Sequence, residues 1–109
     1  LTFSFLESAT LRETIFKRAD LREAILTRAN LKEANLENAI LKGTDFCGAN
    51  LENANLEETN LKRANLKKAN LKNANLKEAN LEDADLTSAN LENANLEEAF
   101  LEDTILEEK

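Results

Sequence analysis

Carboxylates, amines and one thiol are the groups in this 109-residue sequence with the most reactive chemistry to offer, and histidine is absent. Without histidine no Ser-His or Cys-His pair can activate a nucleophile. The acidic pairs Glu57–Glu58 and Glu97–Glu98 are neighbours that face outward. A glycosidase-type pair needs two carboxyls facing each other across a cleft, one with a shifted pKa. No glycine-rich phosphate loop is present. Cys47 is the sole cysteine, which excludes an intrachain disulfide and a cysteine-based metal cluster. It stands between Phe46 and Gly48 at an outward position, and a reactive thiol needs a cationic neighbour. These residues predict a protein that is no enzyme, binds no cofactor and has no dedicated metal site. The acidic C-terminal end reads as a solvated face.

The elements that must carry these groups are set by a period of five. The positions 1, 6, 11 and onward to 106 hold twenty Leu and two Phe, Phe16 and Phe46. Two residues before them, the positions 4 to 104 hold sixteen Ala, four Thr and one Ser. Between the two stands asparagine in eleven repeats. The stretch 51–80 is the clearest, and its leucines Leu51, Leu56, Leu61, Leu66, Leu71 and Leu76 form the expected core ladder.

Five residues turn an α-helix by about 500°, so successive leucines would point about 140° apart and share no face. Eleven asparagines at one repeat position are also poor helix interior. A continuous strand fails as well, because an odd period throws alternate leucines onto opposite faces. A short extended segment followed by a corner succeeds. The small residue and the leucine, two apart, then face inward together. Asn and the two residues after Leu lie outside. Repetition coils the chain into a right-angled tube whose backbone bonds run along the axis, at about 4.8 Å per coil. The decapeptides at 51, 71 and 91 echo one another at a spacing of twenty, which suggests four units per coil. Asn53, Asn73 and Asn93 would stack in one column, and Glu58, Glu78 and Glu98 in another. The expected length is roughly 26 Å for a rod of about five and a half coils, forming a single domain over residues 1–109.

The uninterrupted A-N-L-x-x register resembles the pentapeptide repeat family, whose pattern is A-(D/N)-L-x-x. The resemblance implies an all-β fold, a right-handed quadrilateral β-helix with Ala and Leu or Phe inside. Departures at the Asn/Asp position are Phe5, Ile15, Ile25, Ile40, Phe100 and Ile105, which put apolar atoms outside. Phe3, Phe5 and Ile15 are expected to cover the first layer or meet a neighbour. Gly43 and Gly48, in consecutive units, suggest a local corner adjustment.

Net charge is −7, which disfavours direct nucleic-acid binding. No apolar run approaches a membrane span. The charges form bands along the chain. Residues 61–80 carry six basic groups and one acidic, and residues 81–109 one basic and ten acidic. Lys62, Arg63, Lys67, Lys68, Lys72 and Lys77 would make a basic girdle one coil tall. Lys62, Arg63, Lys67 and Lys68, with Glu97, Glu98, Phe100 and Ile105, are the candidate interaction surface. The expected function is a non-enzymatic scaffold that binds an unidentified protein, with end-to-end self-association open to its coil ends. A cytoplasmic or other reducing setting fits the free cysteine. The resemblance also implies an alternative, a DNA mimic that binds a type II topoisomerase and protects it from quinolones. That role needs a continuous negative face, which the girdle interrupts.

Overall fold

A computed structural model describes residues 4–106, so Phe3 and residues 107–109 lie outside the described residues. The chain repeats one five-residue move. A β-turn starts at each central Leu or Phe, whose carbonyl accepts the N–H three residues on, as in Ala69 to Leu66 at 3.0 Å. The third residue of the turn has positive φ in every repeat from Ser8 to Asp103. Eighteen are non-glycine residues at 58–65°, and Gly43 and Gly48 stand at 69°. Positive φ at this turn position alone is the mark of a type II turn. The two glycines therefore occupy the same corner as every other repeat, and the expected local adjustment at 41–50 is absent. What they provide is room: a Cβ on Gly48 would lie 3.2 Å from Arg28 Cγ.

Between turns, each Asn-position residue makes a parallel bridge to the residue twenty further on, from Phe5–Ile25 through to Asp85–Ile105. Twenty residues contain four turns, so the chain winds around four faces. The first face carries Phe5, Ile25, Asp45, Asn65, Asp85 and Ile105 one above another, and the fourth carries Asp20, Ile40, Asn60, Asn80 and Phe100. The second starts at Thr10 and the third at Ile15. Each face is followed by a corner made of the two residues after its Leu or Phe.

One repeat shows how the backbone is satisfied. Ala29 N–H donates to Leu26 O within the turn at 3.0 Å, and Asn30 N–H reaches Ala9 O in the preceding coil at 2.8 Å. Leu31 and Glu33 donate onward to Asn50 O at 2.7 Å and Glu52 O at 2.9 Å. The remaining donor, Lys32 N–H, goes to the Asn30 side-chain Oδ1 at 3.1 Å. The same Asx-type bond recurs from Asn35, Asp45, Asn50 and Asn55 through to Asn95. From Asp20 to Asp85 the Asn and Asp residues at this position are thus half-buried and structural rather than simply outward.

Inside, Leu51, Leu56, Leu61, Leu66, Leu71 and Leu76 are fully buried together with Phe46 and the alanines between them. Thr44 and Thr59 enter the core without leaving a hydroxyl unpaired, donating to Leu21 O at 2.7 Å and Leu56 O at 2.8 Å. Phe5 and Ile15 do not cover the first layer. Phe5 and Ile15 are 79% and 75% exposed, pointing out from their faces, while Leu6, Leu11 and Phe16 are only partly buried. The solenoid measures 27 × 26 × 23 Å, so it is a block as wide as it is long rather than a rod. Among the described residues no helix is long and apolar enough to cross a membrane.

Leu66 lies at the centre of this core. Leu66→Ala should cost about 2–5 kcal/mol in a chemical denaturation series. Leu66→Asp should abolish the cooperative melting of the β circular dichroism signal, because an unpaired charge cannot be buried there. Lys67→Glu, one residue on and exposed, should shift stability by less than about 0.5 kcal/mol. Equal melting of Leu66→Asp and the wild type would contradict the inward placement.

Candidate functional site

With two of every five side chains committed to the core and a third to the Asx bond, freedom for function remains at the corners and at the broken Asn positions. The corners receive the charges. The coil formed by residues 61–80 sets Lys62 and Arg63 on the fourth corner, Lys67 and Lys68 on the first, Lys72 on the second and Lys77 on the third. The girdle therefore runs round all four corners. Lys62 is half-buried and pairs with Glu82 at 3.8 Å, whereas Arg63, Lys67 and Lys68 are exposed. Exposed or half-exposed pairs of this kind contribute under about 1 kcal/mol each.

Charge also segregates by corner, which a reading of consecutive segments does not reveal. Between residues 21 and 100 the third corner holds Glu37, Glu57, Glu58, Glu78, Glu97 and Glu98 against Lys77 alone. Over the same span the first corner holds Arg28, Lys67 and Lys68 and no acid. Cys47 lies on that first corner, half-buried and free, between Thr27 and Lys67 in its column. Its N–H donates to Asp45 Oδ1 at 2.9 Å.

The candidate residues do not form one surface. Glu97 and Glu98 occupy the third corner and Phe100 the face that follows it. Phe100 is 65% exposed, and with Glu58, Glu78 and Glu98 it lines a shallow hollow. On its other side a second hollow is lined by Asn80, Glu82, Leu101 and Glu102. Ile105, 50% exposed, is separated from Phe100 by the fourth corner with Glu102 and Asp103. Of the girdle, Lys77 alone shares the third corner. Glu58, Glu78, Glu82 and Glu102 are the additions that the fold makes around Phe100. The twenty-residue register carried the signal for Glu58 and Glu78, since it places them in the column of Glu98.

Glu57, Glu58 and Glu78 bring carboxylate oxygens within 4.8 Å of one another, the donor chemistry that a hard divalent cation takes. Glu57 also accepts from Asn75 Nδ2 at 3.4 Å, and Glu58 is exposed. Two carboxyls elsewhere are held low. The Arg22 guanidinium donates to Asp20 at 2.9 and 2.7 Å and the Arg22 N–H at 3.2 Å, which brings the Asp20 pKa down to about 2. Asp85 is lowered by the Thr87 hydroxyl at 2.6 Å and by the Thr87 N–H at 3.0 Å. Both are Asx-position carboxylates, so their charge strengthens a bond the fold already makes.

The sequence matches the family described as Pentapeptide repeats, in eight copies over residues 1–28, 29–67 and 64–103. Among solved structures it is similar to HetL, a pentapeptide repeat protein involved in heterocyst differentiation regulation from the cyanobacterium Nostoc sp. strain PCC 7120. That similarity covers 89% of this chain at 33% identity, with a TM-score of 0.87, and spans 46% of HetL. Rfr23, a pentapeptide repeat protein from the cyanobacterium Cyanothece 51142, is 33% identical over 95% of this chain and 88% of its own, with a TM-score of 0.57. QnrB1, a plasmid-mediated fluoroquinolone resistance protein, in a trypsin-treated variant, is 24% identical over 94% of this chain and 57% of its own, with a TM-score of 0.55. At that identity the likeness shows the fold alone. No curated protein matches the chain at significant similarity.

The lowered carboxyls set the acid limb of stability. A group whose folded pKa lies below its unfolded value stabilises fully above the unfolded value and loses that contribution as pH falls through the folded one. For Asp20 the window runs from 3.8 down to about 2, and Asp85 acts in the same direction. Melting temperature measured from pH 7 to pH 2 should therefore fall in that window. The Asp20→Asn/Asp85→Asn double variant should fall less steeply there. An acid limb as steep as that of the wild type would sink the assignment.

Proposed function

Because this chain belongs to the pentapeptide repeat family, we propose that it is a non-enzymatic scaffold that binds a protein partner through its outer residues. The proposal extends to the whole chain as one right-handed quadrilateral β-helix of about five coils over residues 1–109, without a cofactor, in a reducing, cytoplasmic setting. The observation that carries it is the exposure of apolar side chains at positions the repeat otherwise fills with Asn. Phe5, Ile15, Phe100 and Ile105 are each at least half exposed. None has an Oδ1 for the N–H two residues on, and none is buried in the core. Residues of this kind weaken the scaffold locally, which makes recognition their reason for being there.

The test is capture from the native source with the intact solenoid as bait. One bait is wild type, and three carry Phe5→Asn/Ile15→Asn/Ile105→Asn, Phe100→Asn or Lys67→Glu/Lys68→Glu. All should keep the same circular dichroism spectrum, and the variants that restore Asn should melt at or above the wild-type temperature. A partner retained by the wild type and released by at least one outer variant supports the scaffold. No retained partner, or retention by all three variants alike, contradicts binding through these residues.

The girdle on all four corners favours this reading over mimicry of DNA, whose backbone presents one unbroken negative polyanion. Gyrase supercoiling in the presence of a quinolone should accordingly show no protection by the protein. Dose-dependent protection at stoichiometric protein would reverse that preference.

A further inference from the structure

We infer that Phe100, with the carboxylates on either side of it, is the docking point for a basic, arginine-bearing segment of the partner. This inference rests on the scaffold reading and names the partner's chemistry. Its first support is a local rule broken without compensation. One coil earlier on the same face, Asn80 Oδ1 accepts the Glu82 N–H at 3.0 Å. Phe100 stands in the same place before Glu102 and has no acceptor to offer. Its ring is 65% exposed, so the core gains little from it.

The second support is what frames the ring. Glu58, Glu78 and Glu98 line the hollow on one side, and Glu82 and Glu102 the hollow on the other. Among the described residues, Glu58, Glu78 and Glu98 form the one corner column in which three carboxylates follow one another. Elsewhere the columns with a basic residue between acids alternate, as in Glu52, Lys72 and Glu92, or Glu57, Lys77 and Glu97. Like charges side by side on neighbouring strands repel. Lys77 is the one nearby cation on that corner, and Lys62 partly engages Glu82 at 3.8 Å on the other side. The carboxylates therefore hold unspent negative charge around an exposed aromatic ring.

An arginine suits both halves of this arrangement. Its planar guanidinium stacks on an aromatic face and donates to carboxylates in a fork, while its methylene stem covers apolar surface. Lysine supplies only the point charge. A neutral apolar segment would leave the carboxylates uncompensated.

The probe is a short fluorescein-labelled peptide of alternating arginine and serine, read by anisotropy against the full chain at physiological salt. A twin carries citrulline in place of arginine. The decisive variant is Phe100→Asn, which restores the repeat's own residue and so should melt at or above the wild-type temperature. It should bind the arginine peptide about tenfold more weakly. Glu78→Gln/Glu98→Gln should weaken it similarly, and Glu13→Gln on the second corner should leave it unchanged. The citrulline twin should not bind measurably. Phe100→Asn binding as tightly as the wild type would overturn the inference, as would equal binding of the citrulline twin. Two further results would also overturn it: saturable calcium binding that depends on Glu57 and excludes the peptide, or concentration-dependent self-association that Phe100→Asn removes. If Phe100→Asn still captures the native partner, this inference fails and the scaffold survives. If the wild type captures none, the scaffold itself fails.

Discussion

Every repeat with a coil on each side has five backbone N–H groups to satisfy, and the coil geometry supplies acceptors for four of them. Three are carbonyls of neighbouring coils and one is the carbonyl that opens the turn. The fifth points to the outside of the corner, where the Asn or Asp side chain takes it. An Asn at that position turns a donor left to water into a bonded one, worth about 0.5–1.5 kcal/mol net in a typical case. Repeated along the chain, such increments are comparable with the whole stability of a small protein. The bond also fixes the entry to the next turn, so the residue is spatially peripheral and structurally central.

The same geometry restricts the interior to two side chains per repeat, which explains a composition of Leu and Ala. Each coil sends the same pair of inward side chains from every repeat, so the tube is filled by near-identical layers. A larger ring enters at Phe46, on the first face, where the small position in the same repeat is Thr44. Thr44 keeps its hydroxyl bonded to the coil before it. Variation in this core is thus limited to groups that bring their own partners or fill the same volume.

Much of this was legible in the sequence. The period excluded helix and plain strand, the two-residue offset identified the inward pair, and the echo at twenty matches the spacing of the parallel bridges. The corners were not legible. Glu, Lys, Arg and Ser carry no preference for positive φ, and at eighteen corners the fold imposes it on non-glycine residues. Glycine at 43 and 48 consequently looked exceptional when it was the ordinary corner with an unusual occupant. The role of Asn was hidden for a related reason: its polarity suggests exposure, whereas its use depends on an N–H two residues away. The candidate surface was legible residue by residue but not as a grouping. Segment charge sums gave the girdle, yet the acidic third corner gathers residues from position 37 to position 98.

A fold that specifies three of five positions leaves a clear criterion for recognising function. Where the sequence obeys the repeat, the fold itself is sufficient cause, and the residue says nothing about partners. Where it departs, the burial of the substitute decides. Thr44 departs and is buried with its hydroxyl bonded, so the core explains it. Ile40 departs and is 38% exposed, so much of its side chain is covered by its neighbours. Phe100 departs, forfeits the Asx bond and remains 65% exposed beside like charges. Folding energetics favour none of those three features. By this criterion the information about a partner lies in the few places where a nearly perfect repeat tolerates a local loss, and the regular coils serve to hold those places rigid and at fixed spacing.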